Sequence, residues 1–225
     1  MPSRSPASGR SLPRFGLAVS IGSLGAGIQA ATAVSQSSNV RFGFNYFKYS
    51  HGFDKDGISY NGTLKLQSAE ILYDQYIGGG FHISPGFMIY DGNKGTATAS
   101  VPGGQAFTLG GTQYYSDAAA PVGGTGHIQA KKAAPELLIG FGNLLPRSSR
   151  HFTANFEFGV VYQGSPNATL ALTGNTCASP GKTCGAISGN SVVQASVQSE
   201  QNKINSDLSI YKYYPVVRLS FGYKF

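Results

Sequence analysis

Six charged residues lie on predicted strand faces that otherwise carry small polar residues. Charges on such faces could line a narrow passage. Each lies in a stretch in which apolar and polar residues alternate. The six are Arg41, Glu70, Asp74, Glu136, Glu157 and Arg218. Carboxylates that face a pore favour cations, whereas carboxylates paired with arginines neutralise each other and close the path. The residue types therefore predict either a cation-preferring constriction or a paired plug, and we favour the plug.

Catalytic chemistry has little support in the sequence. None of the four histidines lies in a recognisable nucleophile or metal-ligand spacing. The cluster of Ser50, His51 and Asp54 is the one candidate, and mobile polar loops often produce such neighbours. The chain has no phosphate-binding loop, dinucleotide fingerprint or cofactor lysine signature. The sequence predicts no enzyme, no metal site and no cofactor.

The two cysteines indicate an oxidising compartment. Cys177 and Cys184 lie in "NTCASPGKTCG", where Pro180 and Gly181 supply a turn between them. Two cysteines are too few for a structural metal site, which needs more ligands. The pattern predicts a disulfide in an exterior loop, and a reduced pair without a role is the alternative.

The elements that must position the charged residues are alternating strands. The last nine residues, "VRLSFGYKF", put apolar side chains on one face and charged or small residues on the other. The apolar set is Val217, Leu219, Phe221, Tyr223 and Phe225. Similar alternation recurs near 40–52, 60–76, 81–93, 126–143, 151–170 and 211–225. These apolar runs approach the roughly 9–11 residues of a tilted transmembrane strand.

Composition favours a membrane barrel over a soluble sandwich. Only 12% of residues are charged, while the chain has 31 Gly, 13 Tyr and 14 Phe. The polar faces carry Gly, Ser and Asn with single charges, as the interior of a narrow barrel requires. The net charge of +7 comes from scattered residues, so we expect no nucleic-acid partner.

The lengths of the links between strands predict how the strands are connected. Short links at 35–39, 77–80 and 145–150 alternate with long polar segments near 51–60, 92–124 and 174–208. This asymmetry is typical of short periplasmic turns and long extracellular loops. A spacing of three to four residues from Val193 through Leu208 predicts a short helix before the last strand.

The N-terminal region decides the strand count. Residues 15–33 could form a secretion signal, with Ala31 to Ala33 as the cleavage site, or a β-hairpin turning at 23–25. The Gly-rich run lacks a solid apolar block, so we favour the hairpin and predict an all-β chain, an eight-stranded antiparallel barrel over 15–225. Residues 1–14 are then a disordered extension, with the export signal upstream.

Four stretches carry a family resemblance. They are "AAPELLIGFGN", "FEFGVVYQGSPNATL", "QSEQNKINSDL" and "YYPVVRLSFGYKF", and their order and spacing extend over most of 15–225. The sequence resembles the carbapenem-associated outer-membrane protein, or ornithine-uptake porin, family. That resemblance implies an eight-stranded barrel in the bacterial outer membrane and passage of small basic amino acids. A non-conducting anchor that displays its loops is the alternative function.

The resemblance also implies partners. We expect contact with the lipid bilayer and lipopolysaccharide, with small amino-acid solutes, and with the barrel-insertion machinery. Phe225 is the expected insertion signal, because outer-membrane proteins generally end on an aromatic residue of this kind.

Overall fold

Strands dominate the architecture. A computed structural model describes residues 15–55, 58–90 and 93–225, so the predicted N-terminal extension lies outside the described residues. The described residues form β1 (Gly16–Gly22), β2 (Gly25–Ser35), β3 (Ser38–Lys55), β4 (Ile58–Gly78), β5 (Phe81–Tyr90), β6 (Lys94–Val101), β7 (Ala106–Leu109), β8 (Thr112–Ser116), β9 (Val122–Gln129), β10 (Ala133–Gly142), β11 (Phe152–Tyr162), β12 (Asn167–Thr173), β13 (Asn175–Ser179), β14 (Lys182–Ala186) and β15 (Tyr213–Lys224). A 3-10 turn (Ile187–Gly189) leads into α1 (Ser191–Leu208). Within the described residues no helix is both long and apolar enough to cross a membrane.

Eight of these strands pair in a cycle. The antiparallel order β4-β3-β2-β1-β15-β11-β10-β5 is joined at its ends by pairing between β5 and β4. We call these eight strands the ring. Its turn end holds the β2–β3, β4–β5 and β10–β11 connections and the C-terminus. Its head end holds the β1–β2 turn, the β3–β4 hairpin and the two long connections.

The predicted total of eight strands is wrong, because the described residues contain fifteen strands. Several extra strands continue ring strands beyond the head end. β6 pairs with the part of β4 nearer the head end, whereas β5 pairs with the part nearer the turn end. In the same way β9 extends the sheet beyond β10, and β12 extends it beyond β11. The break between β11 and β12 contains Gly164, with φ +67°, and Pro166, which has no amide hydrogen.

The N-terminal residues form a hairpin. β1 and β2 pair from Gly16↔Ala31 to Gly22↔Gly25, with Ser23 and Leu24 as the turn. A side chain at Gly25, where φ is +99°, would collide with the backbone of Tyr46, so the turn requires glycine. β1 also pairs with β15, so this hairpin completes the ring.

Burial in the ring is inverted relative to a soluble protein. Along β15 the side chains of Val217, Leu219 and Phe221 are exposed, whereas Arg218 and Ser220 are buried. The same inversion holds in β3, β5, β10 and β11, where large apolar side chains face outward and polar ones face the interior. In water such an arrangement would lose the hydrophobic free energy that normally drives folding. The outer surface of the ring is therefore suited to lipid.

Beyond the head end the chain builds a folded unit, which we call the head: β6 to β9, β12 to β14 and α1. The predicted long polar loops are thus largely ordered. One face of its sheet packs in an apolar cluster with the helix and the small second sheet. The cluster includes Ile58, Val101, Tyr114, Ile187 and Val193.

The helix begins where the Asn190 side chain accepts hydrogen bonds from the Val192 and Val193 backbone amides. It extends over 18 residues, which is longer than the short helix predicted from the spacing of apolar residues. Val193 and Val197 are its buried residues. The predicted helix before the last strand is confirmed.

Candidate functional site

All six charged residues predicted to face the interior are buried there. Arg41 comes from β3, Glu70 and Asp74 from β4, Glu136 from β10, Glu157 from β11 and Arg218 from β15, each at most 4% exposed. Strand alternation puts them on the interior face, since their neighbours along each strand point outward. The structure brings five of them into one network, and among the described residues Glu136 has no hydrogen-bond partner.

Arg41 is the centre of the first half of the network. Its guanidinium makes a bidentate contact with Glu157, with Nη1 donating to Oε2 at 2.6 Å and Nη2 donating to Oε1. Nη2 also donates to Asp74 Oδ1 at 2.9 Å. The Ser84 hydroxyl donates to the same Asp74 oxygen at 2.7 Å. Two carboxylates thus hold one guanidinium in a fixed plane.

Arg218 forms the second half. Its Nη2 donates to Glu70 Oε2 at 2.6 Å, and its Nη1 lies 3.6 Å from Glu157 Oε2. A Cβ at Gly43 would collide with the Glu70 carboxylate, so glycine at that cross-strand position makes room for it. Glu157 therefore joins the two arginines into a single network.

Both arginine pairs cross the ring along a diameter. β3 and β11, which carry Arg41 and Glu157, are four strands apart in either direction around the cycle. The same separation holds for β15 and β4, which carry Arg218 and Glu70. Side chains from opposite walls therefore meet in the middle, which is possible because eight strands enclose an interior that side chains can fill.

Glu136 is the exception in the interior. Its side chain is 3% exposed, and neither carboxylate oxygen has a hydrogen-bond partner in the part of the chain that the structure describes. It lies on the interior face of β10 between Ala134 and Leu138, which belong to an apolar cluster. Four interior carboxylates thus face two arginines, leaving an excess of negative charge that a proton or a cation could balance.

Apolar layers pack against the charges toward both ends of the interior. Leu24 from the β1–β2 turn belongs to an apolar cluster with Met88, Val216, Leu138 and Leu72, and Leu72 lies between Glu70 and Asp74 on β4. This turn is short, and it nevertheless contributes a side chain to the interior. No sequence pattern predicts this role, because Leu24 lies in a turn outside the strand alternation.

The β10–β11 connection closes the turn end. Leu144 and Leu145 are buried against Ala18 and Ala31. Arg147 donates to the Ser35 and Ser38 carbonyls, with an Nη2 to O distance of 3.1 Å for Ser38. Lys224 Nζ donates to the Pro146 carbonyl at 3.0 Å, and to that of Ser148. A segment predicted as a simple turn is therefore folded inward and held by two basic residues.

His82 also belongs to the network and was not among the predicted site residues. Alternation puts it on the interior face of β5, where Nε2 lies 3.3 Å from Glu157 Oε1 and Nδ1 lies 3.2 Å from the Gly80 carbonyl oxygen. Asp74, His82 and Glu157 are residue types that could hold a metal ion, and their ligand atoms lie within 4.8 Å of one another. Arg41 already occupies the carboxylate oxygens that such an ion would need.

The candidate catalytic cluster does not assemble. Ser50 and His51 are consecutive in β3, so their side chains point to opposite faces of the β3–β4 hairpin. The Ser50 hydroxyl is hydrogen-bonded to the Thr63 hydroxyl at 2.9 Å, whereas the His51 ring stacks on Tyr49 and Phe53. A serine nucleophile needs its base within hydrogen-bond reach, and this geometry does not provide one.

The predicted disulfide is confirmed. Cys177 in β13 and Cys184 in β14 are directly opposite each other in the ladder and are bonded. The bond joins the two strands of a hairpin in the head. It therefore stabilises a peripheral part of the chain and takes no part in the interior network.

Two solved structures share this architecture. The crystal structure of Acinetobacter baumannii CarO2 aligns with a TM-score of 0.58, covering 96% of this chain and 100% of that chain at 17% identity. The chain has the CarO fold. The crystal structure of Acinetobacter baumannii CarO aligns with a TM-score of 0.55 over 93% of this chain and 97% of that chain, at 19% identity. No protein-family model matches the sequence, and no curated protein matches it.

Proposed function

We propose that this chain is a bacterial outer-membrane protein whose eight-strand ring is a closed transmembrane β-barrel. Two observations support this. The ring exposes apolar side chains outward and buries polar ones, which suits a lipid environment, and its fold is that of CarO. With the short links at the periplasmic side, the head extends from the outer surface of the cell.

We further propose that the barrel is a non-conducting anchor for the head. The observation that carries this is the pair of ion pairs across the diameter, Arg41 with Glu157 and Arg218 with Glu70. Buried leucines, among them Leu24, Leu72 and Leu145, pack in apolar clusters of the interior, so an ion would have to displace leucines as well as break a buried network. Leaving one charge of such a buried pair without its partner costs about 3–5 kcal/mol, so separating the partners to open a path is unfavourable.

Single-channel recording of the refolded full-length chain in a planar bilayer tests this proposal. We expect no discrete openings, while the same sample shows the changed gel mobility on heating that marks a folded barrel. Cation-selective openings that lysine or ornithine interrupts would overturn the anchor.

The excess of interior carboxylates favours a second candidate, a narrow uptake path for small basic amino acids. Glu136 has no partner, and one oxygen of Glu70 also has none. An alkylammonium group would find unpaired carboxylates there if the apolar layers moved aside. Loss of amino-acid block in a conducting Glu136→Gln barrel would support this candidate.

The C-terminal residue is proposed as the signal for barrel insertion. Phe225 is exposed, its backbone amide donates to the Phe15 carbonyl, and its ring stacks on Phe15. Its side chain is therefore accessible to a partner while its backbone completes the β1–β15 ladder. We expect Phe225→Ser to reduce the amount of folded protein in the outer membrane, with unchanged amounts counting against the signal.

A further inference from the structure

Three lysines form a straight row across neighbouring strands on the outer surface. Lys48 in β3 pairs directly with Lys65 in β4, and Lys65 pairs directly with Lys94 in β6. Directly opposed residues lie on the same face with their Cβ atoms only ~5 Å apart. None of the three forms an ion pair with any residue in the described parts of the chain. Like charges that face each other across strands destabilise a sheet, so the lysine row lowers the stability of the sheet when no anion is bound.

The row lies immediately beyond the apolar surface of the ring. Lys48 follows Phe42, Phe44 and Tyr46 on the outward face of β3, one step above an exposed tyrosine. One step of two residues along a strand is about 7 Å. In a membrane barrel an aromatic girdle marks the lipid interface, so the lysines lie at the level of the lipid headgroups.

The surface above the row is uncharged and rich in hydroxyls. The next level of the same face is formed by five cross-strand neighbours, Ser50, Thr63, Thr96, His127 and Thr169. At the level of the lysines, Gln129 in β9 and Asn167 in β12 occupy the next two positions across the sheet. Beside these two amides a polar cavity of about 270 Å³ also includes Lys131 in its lining.

We propose that this face binds a phosphorylated glycolipid of the outer leaflet, with its phosphates on Lys48, Lys65 and Lys94 and its sugars against the hydroxyl-rich level above. This ligand fits the surface both in its chemical groups and in their positions. Ammonium groups form charge-assisted hydrogen bonds with phosphate, and the hydroxyl, amide and imidazole groups above can exchange hydrogen bonds with sugar hydroxyls. Lipopolysaccharide has this order of groups, phosphates at the membrane surface and sugars beyond. The inference rests on the proposed outer-membrane position.

Binding of labelled lipopolysaccharide to the full-length chain in zwitterionic detergent tests the proposal. We expect the wild type to bind, and the triple variant Lys48→Gln/Lys65→Gln/Lys94→Gln to bind at least about tenfold more weakly. The matched control is Lys182→Gln/Lys203→Gln, which removes two lysines of the head that lie off the row and should leave affinity within about twofold. Replacing the row by three arginines should preserve binding, since the positive charges remain.

Three outcomes would overturn the proposal: equal affinity in the triple variant, equal binding of dephosphorylated lipopolysaccharide, or full displacement by millimolar inorganic phosphate, which would indicate a site for the free anion. Each variant is first shown to be a folded, heat-modifiable barrel. Conductance is recorded separately in bilayers without lipopolysaccharide, so a conducting barrel that binds the lipid contradicts only the anchor. A silent barrel that does not bind contradicts only the lipid site.

Discussion

Two glutamates of the interior are expected to have opposite effects on stability. Glu136 has no hydrogen-bond partner and lies between apolar neighbours, whereas Glu70 accepts a hydrogen bond from Arg218 at 2.6 Å. A buried charge without a partner is unfavourable, and a buried arginine that loses its partner is equally so. The environment of each carboxylate therefore decides whether its replacement raises or lowers the free energy of unfolding.

We predict that Glu136→Leu stabilises the barrel by about 1–3 kcal/mol, because it removes a buried carboxyl group that has no hydrogen-bond partner among the described residues. Glu70→Gln should destabilise it by about 3–5 kcal/mol, because Arg218 loses its carboxylate. Urea unfolding of the refolded protein in liposomes measures both. A loss of stability in Glu136→Leu would contradict this prediction and indicate that Glu136 has a partner, such as a bound cation.

Replacing Arg41 is expected to cause a loss as large as that of Glu70→Gln. Arg41→Met leaves Asp74 without its guanidinium and Glu157 with only the longer contact to Arg218, at a cost of about 3–5 kcal/mol. The double variant Arg41→Met/Glu157→Gln should recover part of this, since one of the two carboxylates is gone. The same unfolding assay gives the coupling energy, and strictly additive effects would argue against the contact.

The helix α1 protects an open sheet edge. The Asn205 side chain accepts a hydrogen bond from the Ala168 amide at 2.7 Å and donates to the Ala168 carbonyl at 3.1 Å. Gln201 accepts from the Leu170 amide at 2.9 Å. β12 is the last strand of its sheet, and an unpaired edge invites pairing with another chain. Amide side chains of the helix thus replace a missing strand.

We predict that Gln201→Ala/Asn205→Ala accelerates hydrogen exchange at the Ala168 and Leu170 amides while leaving the barrel amides unchanged. The expected cost is about 1–3 kcal/mol of local stability, since three edge hydrogen bonds are lost. Asn202→Ala is the control, because Asn202 is exposed and, among the described residues, its side chain is hydrogen-bonded only to Gln198 of the same helix. Equal exchange rates in the variant and the control would contradict the edge role.

The outward apolar surface makes the whole molecule depend on its solvent. Phe221 and Val192 are both exposed, yet one faces outward from the ring and the other lies on the head. In water the two positions would respond alike to a charge. In a membrane only the ring position meets hydrocarbon.

We therefore predict that Phe221→Arg costs about 2–4 kcal/mol in liposomes. Val192→Arg should change stability by no more than about 0.5 kcal/mol, because it stays in water. Reversible unfolding in liposomes measures the difference. Similar small effects at both positions would contradict the membrane position of the ring.

The local pattern alone was enough to assign strand faces. Period-two alternation is a property of the backbone, so Arg218 was predicted to point inward and Phe221 outward without knowledge of any neighbour. The helix before β15 and the disulfide followed from equally local signals, the spacing from Val193 to Leu208 and the turn between Cys177 and Cys184.

Only the tertiary structure decided which groups meet. Arg41 and Glu157 are 116 positions apart, and their contact depends on the order in which eight strands close into a cycle. Leu24 and Leu145 enter the interior from turns, where no periodicity constrains side-chain direction. Glu136 shares its strand face with apolar residues, so its lack of a partner depends on what the opposite wall presents. Alternation is a local property of each strand, whereas partners are set by the path of the whole chain.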